Sequence, residues 1–91
     1  MLPKKQLEAF GAFYDTARHN DILEPKTTYL IHLAAAIAVG CGPCMEYYLG
    51  QKEKEGITDE EIGAVLASVM TVSAGRAKAQ LQEAEKRRKE K

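Results

Sequence analysis

Cys41-Gly42-Pro43-Cys44 is the segment of this chain best suited to chemistry, because it sets two sulfurs close enough to trade electrons as a pair. They are the only cysteines among 91 residues. No disulfide network can therefore hold the rest of the fold. Three readings fit the pair: a redox dithiol, half of a zinc site completed by another chain, or two small side chains in simple packing contact. Zinc takes about four ligands, and the two histidines, His19 and His32, are scattered along the sequence. The redox reading fits the residues best. Gly42-Pro43 also occurs inside the thioredoxin motif, but nothing here supplies that fold's strands.

Activating a thiol needs a positive electrostatic setting, and a helix start provides one. Pro43 suits a first helical position, where its missing N–H costs nothing. Cys41 then lies just before a helix and Cys44 in its first turn. Free backbone N–H groups and the dipole favour thiolate there, and thiolate is the nucleophile.

The elements that must hold this motif read as helices throughout, since no segment alternates at period two. A first helix is predicted from Pro3 to about His19, with the apolar stripe Leu7, Phe10, Phe13, Tyr14 and Ala17. A second runs from Pro25 or Lys26 to Val39 and is apolar nearly all round. Such a helix belongs in the middle of a structure. Gly40 ends it. The third extends from the cysteine motif to about Glu55, with Gly56 at its C′ position. Thr58 and Glu61 form a capping box for the fourth, and Ile57 with Ile62 forms the hydrophobic staple. That helix continues to Gly75. Residues 76–91 carry seven basic and three acidic side chains and read as a polar fifth helix, with Glu83–Arg87 and Glu85–Lys89 pairs.

The expected architecture is an all-α small helical bundle of about four to five helices, one helical domain over residues 1–91. A chain this short has a marginal core, so the buried second helix points to an oligomer. The formal net charge is zero, so no nucleic-acid partner is indicated. The N-terminus lacks the apolar run of a signal peptide. The longest apolar stretch, residues 29–41, is shorter than the roughly 20 residues a membrane span takes. These features suggest the cytoplasm, with the cysteines resting as thiols. No cofactor or metal is expected.

Three stretches together resemble a known family: Lys26 to Ala36, Gly40 to Leu49 with the cysteine pair, and Gly56-Ile57-Thr58-Asp59-Glu60-Glu61-Ile62. The chain resembles the carboxymuconolactone decarboxylase superfamily, and within it the alkylhydroperoxidase D-like branch, over a core of about residues 22–75. The resemblance implies a helical fold assembled as a trimer or hexamer. It implies a thiol peroxidase or thiol–disulfide oxidoreductase acting on hydroperoxides, with Cys41 and Cys44 catalytic. Cys44 would be the attacking thiolate. A dithiol carrier, such as a lipoyl or thioredoxin-like protein, would return the electrons.

Two positions depart from the family pattern. A histidine four residues after the second cysteine is replaced by Tyr48, and a glutamate twelve residues before the first is replaced by Tyr29. A tyrosine titrates near 10, far above a useful base, but its hydroxyl donates hydrogen bonds. Tyr48 shares a helix face with Cys44 at i,i+4. Tyr48 and Tyr29 are therefore candidate site-lining donors, and His32, one turn beyond Tyr29, is a candidate substitute base. The alternative function is a non-enzymatic binding or scaffold subunit that keeps the fold and lacks the relay.

Overall fold

The computed structural model describes residues 1–91 and contains five α-helices and no strand: α1 Lys4–Arg18, α2 Pro25–Val39, α3 Gly42–Gly50, α4 Lys52–Glu55 and α5 Asp59–Lys89. The all-helical expectation holds. Helix α2 is the hub, packed against α3 and α5 and touched by the end of α1. The core is small: Tyr29, Leu33, Ala36, Tyr48 and Ile57, with Leu30, Ile37, Cys44, Met45, Ile62 and Val65 packed around it.

Local chemistry accounts for each junction. Asn20 closes the α1–α2 turn. Its Oδ1 accepts from the backbone N–H of Ile22 and Leu23, and its Nδ2 donates to the Ala17 carbonyl and to Thr28 Oγ1. Gly40 ends α2 at φ 72°, a left-handed conformation that costs a glycine little. The Cys41 N–H then reaches back to the Ala36 carbonyl at 2.9 Å, the long bond of a Schellman ending. This ending leads the chain straight from the buried helix into the cysteine motif. Gly56 does the same for α4 at φ 69°, with Ile57 N–H on the Lys52 carbonyl at 2.8 Å. The Thr58–Glu61 capping box is present, and Ile57 is buried against the core with Ile62 packed beside it.

Three expectations are corrected. The helix predicted to reach Glu55 breaks at Gln51. Gly50 is a weak helix former, and the Tyr48 carbonyl is taken by the Tyr29 hydroxyl and by Gln51 N–H. A side chain inserted into the carbonyl ladder interrupts a helix. Next, Gly75 stops nothing: α5 runs unbroken for 31 residues. A single interior glycine costs about 1 kcal/mol, and no proline follows it to enforce a break. Glu83 pairs with Arg87 as expected at 3.7 Å, but Glu85 pairs with Arg88 at 2.7 Å rather than with Lys89. The i,i+3 position lets the guanidinium grip both carboxylate oxygens.

The apolar stripe of α1 is not core within the chain. Leu7, Phe10 and Phe13 are exposed, Phe13 by 70%. Only its C-terminal end is anchored. Arg18 is 6% exposed and lies against the rings of Tyr29 and Tyr48, 5.8 and 5.9 Å from their centroids. Its Nη2 donates to Glu55 Oε1 at 3.3 Å. No helix is long and apolar enough to cross a membrane.

Candidate functional site

Cys41 is the N-cap of α3 and Cys44 its third residue. The Cys44 backbone N–H points at Cys41 Sγ, 3.2 Å away. Sulfur thus takes the place that a serine or aspartate oxygen usually fills at a helix start. The two Cα atoms are 5.2 Å apart and the sulfurs are bonded. The structure accordingly holds the oxidised pair, whereas residence in a reducing compartment predicts thiols.

The pair lies between two clefts. One, of about 330 Å³, is bordered by both cysteines and by Ile31, Ala35 and Val39 of α2, with His32 and Tyr48 at its polar edge. The other, of about 270 Å³, is bordered by Tyr14, Pro43, Cys44, Tyr47 and Tyr48. Cys44 borders both clefts, and Cys41 only the first.

Tyr48 ties the site together. Its hydroxyl is 2.6 Å from the Tyr14 hydroxyl and 2.9 Å from His32 Nδ1. Burial and the Tyr14 hydrogen bond hold its phenol well above the ordinary value, so it stays protonated and keeps a proton to donate. Burial, and then the Arg18 charge, push His32 below its usual value. Near neutral pH the imidazole is uncharged and has a lone pair to offer. The three side chains also stack edge to face, Tyr14 with His32 at 5.9 Å and His32 with Tyr48 at 5.7 Å.

The structure separates the expected site residues. Cys41, Cys44, Tyr48 and His32 border one cleft; the i,i+4 spacing accounts for Tyr48 beside Cys44, whereas His32 reaches it from α2. Tyr29 does not join them. It is fully buried, and its hydroxyl donates to the Tyr48 carbonyl. It supports the backbone of α3 and presents nothing to either cleft. Tyr14 and Arg18 enter unannounced from α1. Tyr14 looked like one more member of an apolar stripe, and only its polar tip hinted at a partner. No three His, Cys, Asp or Glu side chains gather in a way that could hold a metal ion.

With this geometry in hand, the comparisons become informative. A model of the carboxymuconolactone decarboxylase family matches residues 5–86. The chain belongs to that family. A crystal structure of a protein from Methanobacterium thermoautotrophicum has the same fold, with a TM-score of 0.80 and 27% identity, covering 89% of this chain and 92% of that one. Comparison with curated proteins found no match. The family match extends over α1 and most of α5, so the helix that supplies Tyr14 and Arg18 is part of the family's pattern.

Proposed function

We propose that this family member is a thiol–disulfide oxidoreductase with thiol peroxidase activity toward hydroperoxides. One observation carries the reading: a Cys41–Cys44 disulfide at the start of α3, on a cleft shared with a neutral His32 and with Tyr48, whose hydroxyl is bonded to that histidine. A disulfide within the first turn of a helix has a stabilised thiolate form and so reduces readily.

In the reduced state, Cys44 is the attacking thiolate. Its sulfur bonds to the outer peroxide oxygen, the O–O bond breaks, and the departing alkoxide takes up a proton. Cys41 then attacks the Cys44 sulfenic acid, closing the disulfide and releasing water. A dithiol, on a lipoyl or thioredoxin-like carrier, restores both thiols and leaves as a disulfide. The Tyr48 hydroxyl accepts the thiol proton as it passes its own to His32 Nδ1. A neutral His32 suits this role, because a protonated one has no lone pair to use. Tyr14 holds the Tyr48 hydroxyl from its other side.

The second reading is a scaffold subunit without turnover. The sealed position of Tyr29, where the family pattern has a glutamate, favours it. Turnover of cumene hydroperoxide with dithiothreitol separates the two. Activity lost in both Cys44→Ser and Cys41→Ser is the expected result. Rates equal to those of the variants reject the enzyme.

A further inference from the structure

Thiol–disulfide exchange is directional: the incoming thiolate approaches along the S–S axis, opposite the sulfur that leaves. Attack on Cys44 must come from the side facing away from Cys41. Attack on Cys41 must come from the side facing away from Cys44. The clefts treat the two cysteines differently. The aromatic cleft of Tyr14, Pro43, Tyr47 and Tyr48 touches Cys44 and not Cys41, whereas no cleft touches Cys41 without also touching Cys44.

From this asymmetry we infer that the reducing thiol enters through the aromatic cleft, attacks Cys44, and expels Cys41 as the leaving group; the inference rests on the oxidoreductase reading above. In the step, the incoming sulfur bonds to Cys44 Sγ and the Cys44–Cys41 bond breaks. Its electron pair remains on Cys41 Sγ, which takes up the proton the incoming thiol gave up. A second thiol of the same reductant then attacks the mixed disulfide, leaves as part of an oxidised dithiol, and frees Cys44.

The helix start independently favours this direction. Cys41 Sγ already accepts the Cys44 backbone N–H at 3.2 Å in its N-cap position. A departing Cys41 thiolate gains that bond in full together with the helix dipole. The cleft also limits the reductant. No charged side chain lines it, and its walls are three phenol rings and a proline. It suits an uncharged thiol on an aromatic or aliphatic body. An anionic thiol finds no counter-charge there.

The test reacts the oxidised protein with limiting benzyl mercaptan, quenches with acid, alkylates the freed thiol and locates both labels by fragment mass. The expected product carries the benzylthio group on Cys44 and the alkyl group on Cys41. Tyr47→Ala, at an exposed position, should slow the reaction about fivefold, the scale of one lost aromatic contact. The para-carboxylate analogue of benzyl mercaptan should react more slowly than the parent thiol. A benzylthio group on Cys41, or an unchanged rate in Tyr47→Ala, overturns the inference while leaving an oxidoreductase intact. A disulfide inert to every thiol overturns both it and the oxidoreductase reading.

Discussion

Tyr48 stands where the resemblance leads one to expect a histidine, and it is the centre of the hydrogen bonding beside the cysteines. Its hydroxyl has two partners, one on α1 and one on α2. Tyr48→Phe leaves both without their bond, so it should lower stability by about 1 kcal/mol, read from urea unfolding. Hydroperoxide turnover should fall further than stability does, and His32→Asn should lower it as well. A fully active Tyr48→Phe would remove the hydroxyl from the mechanism. The pH dependence has a definite sign. The folded pKa of His32 lies below its ordinary 6.5, so the unfolded chain binds its proton more readily. Stability is therefore complete above about 6.5 and declines as pH falls from there through the lower folded value. His32→Asn should flatten that decline in urea titrations from pH 7 to pH 5. The same protonation removes the proton acceptor, so turnover should fall over the same acid range.

Among the elements, the α2–α3 junction does most to place the disulfide. Gly40 adopts φ 72° with open space around its α-carbon, so a methyl group there meets no neighbour and the cost is conformational alone. Gly40→Ala should destabilise the fold by about 1 kcal/mol. It should also slow disulfide closure, because it disturbs the ending that delivers Cys41 to α3. Thr58→Ala removes a complete capping box and should cost about 1 kcal/mol in urea unfolding while leaving closure of the Cys41–Cys44 pair unchanged. Comparing the two variants separates loss of global stability from loss of local geometry.

The chain buries little for its length: only seven of its 91 residues are buried, and Phe10, Phe13, Leu66, Met70 and Val72 stand in the open. Helix α2 is apolar nearly all round, yet its Ile31 and Val39 remain exposed. Exposed apolar surface on this scale marks an interaction face. We expect the chain to associate with copies of itself, as a trimer or hexamer. Light scattering should report a multiple of 10.0 kDa, and Phe10→Asp with Phe13→Asp should shift it towards smaller species. A stable single chain at micromolar concentration would refute the expectation.

What was legible in the sequence was local. Helix starts and stops follow from proline, glycine and capping residues acting within one turn, which is why the cysteine motif, the capping box and the left-handed glycines could be placed from the order of residues alone. The i,i+4 relation of Cys44 to Tyr48 and the i,i+3 relation of Tyr29 to His32 are equally short in range. The partners of those residues were not legible. Tyr14 and Tyr48 are 34 positions apart, and Arg18 and Glu55 are 37 apart. Nothing in a helical period says which way α1 will cross α2. Tyr29 and His32 look alike as candidates on one helix, yet packing sends one hydroxyl to a backbone carbonyl and the other ring to the cleft. The sequence by itself determined where α1, α2, α3 and α5 begin and where the sulfurs sit on theirs, because those choices are made by neighbours in the chain. The tertiary structure alone decided which polar groups meet around Tyr48 and which cysteine borders a second cleft, because those depend on how separate helices share one small core.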